Sequence, residues 1–567
     1  MAGCIFFQAF PWLEGYTRSD WRRDLLAGTI VAVMLVPQAM AYASLAGLPP
    51  AIGLYASTVP LVIYVLFGSS RHLAVGPVAI VSIVVFSECS LLAQPGTTEY
   101  INAVLLLSVL VGIIQVVMGL LRLGFLVNFL SHAVISGLTS AAAILIVINQ
   151  LKHILGIQLA PHHSAFGPLI EAGRRIGETH FVSLAIGFGS MIVLLACKRR
   201  CPGFPITILV VLAATLLVRV LRLDASGVDV VGSVPSGLPR LTLPWGNMET
   251  IYALSPAALT IVLVGFVESI SIAQVIALKE RYLVHPNREL GALGLANIAA
   301  SFFRGYPVTG GFSRTAVNHQ AGARTGVASL VTVMLILLTL LFLTPLFYYL
   351  PYAVLAAVVI VAVADLVDFR TAWKLFTIKR ADFASLLLTF AVTLLWGIEK
   401  GALVGIVFSL LLFIRRSAYP HAAELGFVDS EHRFRNVKRY PQATTCPGVL
   451  ILRVDASLYF ANMAFLEELL RSAARDRTGL RWILMDFSAV NDMDGCAVET
   501  LERLMDAYAE AGIDFVFAGM KGPVRDVTER AGWHERLGRR MRYPTIRHAL
   551  DDIHPSENDK DASQAPV

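Results

Sequence analysis

Fourteen apolar stretches follow one another between Leu25 and Ile414, separated by short polar or basic breaks. They cover 25–46, 50–67, 76–92, 100–120, 125–150, 180–197 and 204–221 in a first half. The second half holds 253–278, 289–303, 311–320, 325–346, 351–367, 382–397 and 400–414. A helix needs about 20 apolar residues to cross a hydrocarbon core ~30 Å thick. Most stretches therefore predict spanning helices, and several are too short to cross as one straight rod. After Arg416 the pattern changes. Prolines at 420, 441 and 447 punctuate a polar segment, and short apolar runs then alternate with amphipathic ones. The runs 449–460, 482–490 and 514–519 predict strands, and 463–475, 495–511, 522–532 and 545–553 predict helices. Together they make a small sheet covered by helices.

The pattern divides the chain into a cytosolic N-terminal segment (1–24), a transmembrane domain (25–417, in halves of about 25–222 and 253–417), a linker (418–434), an α/β domain (435–553) and a tail (554–567). Asp, Ser and Pro in the tail predict disorder. Composition agrees: 56% of the 567 residues are hydrophobic, 15% are charged, and the mean hydropathy is +0.67. That leaves too little polar surface for a soluble protein of this length.

Charge changes the picture in one respect. Residues 1–417 carry 27 Lys and Arg against 17 Asp and Glu, whereas 418–567 carry 19 against 23. The basic isoelectric point thus reflects cationic anchors between spans, and no nucleic-acid partner is expected. Arg18, Arg22 and Arg23 precede the first span, and Arg71, Arg122 and Lys198–Arg200 follow the second, fourth and sixth. Lys279, Arg281 and Arg288 follow the eighth, Arg370, Lys374, Lys379 and Arg380 the twelfth, and Arg415 and Arg416 the last. With an even number of spans these clusters share one side, which puts both termini in the cytoplasm. Arg174, Arg175, Arg219 and Arg222 are exceptions. No cleavable signal peptide is evident in the first ~24 residues. Cys4, Cys89, Cys197, Cys201, Cys446 and Cys496 lack metal or disulfide spacing. His132, His153, His162, His163 and His319 lack metal spacing too, and read as interfacial or loop residues.

Two stretches look wrong for plain spans. In RHLAVGPVAIVS (71–82), Leu73 to Val75 read as extended, Gly76 and Pro77 break the backbone, and a helix begins at Val78. In RGYPVTGGFSRTAVNHQAGART (304–325), Pro307, Gly310 and Gly311 break it before a short polar helix near Phe312. Irregular backbone at membrane depth survives only where it is buried in protein or lines a cavity. A half-helix starting there aims unsatisfied N–H groups and partial positive charge at its contents. The two breaks are the third segment of each half, the pattern that marks a transporter's substrate site, and facing N-termini favour an anion.

Arg314, in GFSRTA, either adds a fixed positive charge to such a site or forms a structural ion pair. Ser313 and Thr315 offer hydroxyls beside it, for the site or as caps. Glu268, inside the apolar run 260–278, is a proton acceptor, a cation ligand or a partner for Arg314. Glu88, Asp365 and Asp368 read as interfacial anchors. On the first span Pro37 frees a backbone carbonyl, and Gln38 and Tyr42 lie one turn apart. No nucleophile–base pair or metal set occurs in the spans, so an enzyme is not expected.

The stretches VPQAMAYASLAGLPPAIGLY, AVGPVAIVS, GFVESISIAQ and GGFSRTAVNHQAGART, in this order, resemble the SulP (sulfate permease) family of anion transporters. The tail motifs LRVDASLYFAN and ILMDFSAVNDMDGCAVETL resemble the STAS domain that ends many of its members. The resemblance implies a polytopic α-helical protein of 14 transmembrane segments in a 7+7 inverted repeat, with core and gate domains. It further implies a homodimer in a bacterial inner membrane and a cytosolic STAS domain with a possible protein partner. Carried over by motif, the anion site comprises Gln38 and Tyr42, then Gly76, Pro77, Val78 and Ala79, then Phe312, Ser313 and Arg314. Glu268 matches the acidic position associated with H⁺ or Na⁺ coupling, and no other cofactor is implied. One departure stands out. Where phosphorylated STAS domains carry Ser or Thr, the turn here is Asp494-Gly495-Cys496-Ala497, with no hydroxyl at its centre. A structural or partner-binding role is therefore expected for the domain.

Overall fold

Apolar runs with no internal turn signal become long helices, and glycine–proline breaks end them. In the computed structural model, which describes residues 16–125, 131–157, 166–200, 206–233, 237–475 and 477–553, both rules hold. Cys4, Cys201, His162, His163 and the tail 554–567 lie outside the described residues. The chain forms two units, Met1–Ser409 and Leu410–Val567.

In the first unit, α1 (Arg18–Leu45) is entered through a reciprocal cap. The Thr17 hydroxyl accepts the Asp20 N–H while the Asp20 carboxylate accepts the Thr17 N–H. The helix runs unbroken through Pro37. Then come α2 (Pro50–Tyr55), α3 (Val59–Phe67), the two-residue strand β1 (Val75–Gly76), α4 (Ala79–Cys89), α5 (Thr98–Leu120) and α6 (His132–Leu155). α7 (Phe166–Arg174), α8 (Phe181–Arg200) and α9 (Ile206–Leu221) complete the first half. The second half has α10 (Met248–Glu280), α11 (Pro286–Phe302), β2 (Thr309–Gly310), α12 (Phe312–Gln320), α13 (Val327–Leu338), α14 (Tyr352–Val363), α15 (Phe369–Ile378), α16 (Arg380–Trp396) and α17 (Ile398–Ala418). Among the described residues eight helices are long and apolar enough to cross a membrane, and three apolar ones are shorter. α7 and α15 lie outside the fourteen apolar stretches. α15 exposes Phe369, Trp373 and Ile378 beside Arg370 and Lys374.

Packing depends on small residues. α5 crosses α11 so closely that a Cβ on Gly294 would lie 2.7 Å from the Gly112 carbonyl, and one on Gly112 would lie 2.7 Å from the Gly294 carbonyl. Without a hydrophobic drive between helices in lipid, such backbone approach supplies the contact. Two fully buried carboxylates pin loops. Glu289 accepts from the Tyr64 hydroxyl (2.6 Å), the Ser69 N–H and hydroxyl (both 2.7 Å) and the Ser70 N–H (3.1 Å). Asp24 accepts from the Arg324 and Thr325 N–H groups and from the Thr325 and Tyr16 hydroxyls. Every oxygen of both carboxylates is satisfied by neutral donors, which offsets the cost of burying charge.

The second unit holds β3 (Ala422–Val428), β4 (Arg433–Asn436), β5 (Val449–Val454), α18 (Met463–Arg475), β6 (Trp482–Asp486), α19 (Gly495–Glu510), β7 (Asp514–Ala518), α20 (Gly522–Arg530), α21 (Trp533–Leu537) and α22 (Ile546–Ile553). The sheet order is β4-β3-β5-β6-β7. β5, β6 and β7 are parallel, and β3 is antiparallel to both neighbours. Alternation sends Leu450, Leu452 and Met485 to one face, under α18 and α19, and Ile451, Leu484 and Val516 to the other, under α22. One expectation is corrected here. The stretch 418–434, read as linker, contains β3 and the start of β4. β3 buries Ala423, Leu425 and Val428 and pairs Ala422–Glu424 with Leu452–Val454, so the domain begins before residue 435.

Candidate functional site: two half-helices over one cavity

The two broken segments meet. β1 and β2 pair antiparallel, Val75 opposite Gly310 and Gly76 opposite Thr309. Each is followed within three residues by a helix, α4 from Ala79 and α12 from Phe312. A two-residue ladder leaves many backbone groups to satisfy, and side chains take them. Asn297 donates to the Val308 carbonyl (3.0 Å) and accepts the Val308 N–H (2.7 Å). The Ser269 hydroxyl accepts the Gly310 N–H (2.8 Å), and Thr309 donates to the Gly265 carbonyl on α10 (2.6 Å). Thr315 accepts the Ala74 N–H (3.1 Å) and donates to the Gly311 carbonyl (2.7 Å). Both its bonding directions are thus used structurally, and it is no ligand donor.

Neither helix start is closed by its own N-cap residue. The N-cap residues are Val78 and Gly311, and neither start carries a side-chain cap. The first N–H groups of α4 and α12 are therefore donors without an intrahelical acceptor. Arg314, only 2% exposed, crosses from α12 and donates through Nη1 to the Pro77 carbonyl of the other break. Its Nε and Nη2 have no hydrogen-bond partner, and no carboxylate lies within 4.0 Å of it among the described residues. The ion-pair reading of Arg314 is therefore not what the structure contains. A buried guanidinium with two donor nitrogens unused is costly unless something negative completes it.

These groups face a cavity of about 760 Å³. Gln38, Tyr42, Val78, Ala79, Ser313 and Arg314 line it, with Phe312 and Glu268. Gly76 and Pro77 do not reach its wall. They sit behind Arg314, where a Cβ on Gly76 would lie 3.4 Å from Nη2. Gln38 donates to the Tyr42 hydroxyl (2.9 Å), leaving its own Oε1 unpaired. Glu268 comes up to the backbone N–H of Phe312, and its Oε2 has no partner. The contrast with Glu289 and Asp24 is direct: those carboxylates are complete, and this one is not.

The cavity also has walls that sequence reading missed. His132, Ser136 and Thr139 line it from α6, and Asp365 and Asp368 from the turn between α14 and α15. The α6 residues fall at i, i+4 and i+7, one face of a helix, and that polar stripe in an apolar run was the available signal. The two aspartates look like interfacial anchors in sequence. Asp368 does cap α15, accepting the Thr371 N–H at 3.0 Å.

An integral membrane protein whose halves each supply a broken helix to one polar cavity is, by architecture, a transporter. A model of the sulfate permease family matches residues 21–389, and a STAS domain model matches 440–551. The chain belongs to the sulfate permease family, a family of membrane anion transporters, and carries a C-terminal STAS domain. It is 38% identical over 567 residues to the chloroplastic sulfate transporter 4.1 of Arabidopsis thaliana, covering 96% of this chain and 82% of that one. A probable sulfate transporter of Mycobacterium tuberculosis is 34% identical over 536 residues, covering 94% and 96%. The murine Slc26a9 anion transporter, solved in the inward-facing state, superposes with a TM-score of 0.90 at 25% identity, covering 98% and 95%.

Proposed function

We propose that this protein is a secondary active transporter that moves a small oxyanion, sulfate in the first instance, across a bacterial plasma membrane by alternating access, as a homodimer. The observation that carries this reading is the buried, incompletely bonded Arg314 beside two uncapped helix starts. The two unpartnered nitrogens of Arg314 converge there with two helix starts that their own N-cap side chains do not close, which suits an anion that brings several oxygens. The sulfate transporters among its relatives support that choice of anion.

Glu268 is the coupling group in this proposal. A proton on its carboxylate would remove the negative charge facing the anion, so anion and proton would load together. The free Oε2 suits a sodium ion as well, and Na⁺-coupled bicarbonate symport, or plain anion exchange, is the second reading. A channel-like conductor would pass current that rises linearly with anion concentration and does not saturate. A membrane sensor would keep anion binding when the STAS domain is removed and lose only its output.

Sulfate flux into proteoliposomes under an imposed pH gradient tests the first reading. Wild-type uptake should rise by about tenfold when the anion-donor side is acidified by one unit, if one proton is obligatory. Glu268→Gln should bind sulfate and show no gradient response. Gradient-driven uptake by Glu268→Gln equal to wild type would end the proton-coupling role. Uptake driven only by a sodium gradient would favour the second reading.

A further inference from the structure

A second pocket of about 380 Å³ lies at the other end of helices that wall the central cavity. On α6, Ser136 and Thr139 line the central cavity, while Lys152 and His153 line the second pocket. Lys152 stands thirteen positions beyond Thr139, which is about 20 Å of helix. On α14, Tyr352 lines the second pocket and Val358 the central cavity. On α1, Tyr42 lines the central cavity and Ser44, two residues further on, lines the second pocket. The pockets therefore lie in series along the same three helices.

Among the described residues the second pocket's lining contains no Asp or Glu. The titratable groups of that described lining are Lys152, His153 and Tyr352. Glu88 and Asp229, carried on neighbouring elements, fall outside that described lining, although Asp229 accepts the Tyr352 N–H through its carbonyl and its carboxylate is near enough to act on Tyr352. Lys152 extends over the Phe86 ring, 5.7 Å from its centre, and among the described residues no carboxylate pairs with it. His153 is held flat on Tyr352, with centroids 5.3 Å apart and planes 18° from parallel. A cation in a pocket without counter-charge attracts an anion from solution, and low-dielectric walls strengthen that attraction.

We propose that this pocket is a second anion site, where Lys152 holds a small oxyanion at the far end of the route from the central cavity. Its role as a staging point rests on the transport reading above, but the binding itself does not. Pyridoxal 5′-phosphate provides the test on the purified full-length protein. Its aldehyde condenses with a lysine amine, releasing water, and borohydride reduces the imine to a stable amine that mass spectrometry locates. Lys152 should label about tenfold faster with this anion than with neutral pyridoxal, and sulfate should slow the labelling. Both effects should persist in Arg314→Gln, where the central site is disabled. In flux assays Lys152→Gln should raise KM about fivefold with kcat little changed, and Lys152→Arg should restore KM.

Equal labelling by the two aldehydes, no protection by sulfate, or protection lost in Arg314→Gln would each overturn the proposal. Protected labelling in a protein that moves no anion would instead refute the transport reading and leave this site standing.

Discussion

Arg314 joins two roles that a lysine would separate. Its guanidinium is charged, and its fork also closes on the Pro77 carbonyl of the opposite break. Arg314→Lys keeps the charge and loses that fixed geometry. Sulfate uptake should fall about tenfold in Arg314→Lys and about a hundredfold in Arg314→Gln, or ~1.4 and ~3 kcal/mol of anion stabilisation. Uptake by Arg314→Lys at the wild-type rate would show that charge alone matters, and radiolabelled flux in proteoliposomes measures either result. Much of this site was legible residue by residue. Gly76, Pro77, Gly310 and Gly311 announce a break through local backbone chemistry alone, and a lone Arg or Glu in an apolar run announces its own expense. What could not be read was partnership. Nothing local in the sequence tells that Thr315 spends its hydroxyl on Ala74, or that Arg314 reaches Pro77 instead of Glu268.

Helices read well from hydrophobic runs, but their faces did not. His132, Asp365 and Asp368 line the cavity because α6 and the turn between α14 and α15 pack around it, a fact of packing and not of period. The same reasoning explains β3. Its segment HAAELGFV follows directly on the last span, and its strand character depends on β5 lying alongside. Close helix contact is where packing makes its sharpest demand. A methyl on Gly294 would meet the Gly112 carbonyl at 2.7 Å, whereas one on Gly291 meets nothing within 4 Å. Gly294→Ala should therefore lower stability by about 1–3 kcal/mol through overpacking. Gly291→Ala should leave it unchanged or raise it by up to ~1 kcal/mol through helix propensity. Thermal denaturation of the two detergent-purified variants compares them. Equal melting temperatures would remove the close α5–α11 contact from the account.

At the scale of the whole molecule, the two units separate at α17 and not at residue 435. A soluble fragment starting at Tyr419 keeps β3 and the complete five-stranded sheet, whereas one starting at 435 loses β3 and the antiparallel partner of β5. The longer fragment should give a cooperative unfolding transition by circular dichroism. The shorter one should aggregate, because it bares the β5 edge and loses the Ala423 and Leu425 side chains that pack beside Ile451. Equal cooperativity would return 418–434 to the status of a linker. The turn Asp494-Gly495-Cys496-Ala497 opens a helix in the folded domain. Asp494 caps α19 by accepting the Ala497 N–H at 2.8 Å, and Cys496 is an exposed thiol whose carbonyl accepts the Thr500 hydroxyl at 2.8 Å.

The four-residue ladder of Val75–Gly76 with Thr309–Gly310 has a further consequence. Each half of the transmembrane unit supplies one strand and one half-helix, so neither half holds a finished site. A gene cut in the loop between α9 and α10 would encode two polypeptides, each inert when expressed alone. Expressed together in one cell, they would have to recognise each other through that small antiparallel patch and the helix contacts around it, and restored uptake would report their reunion.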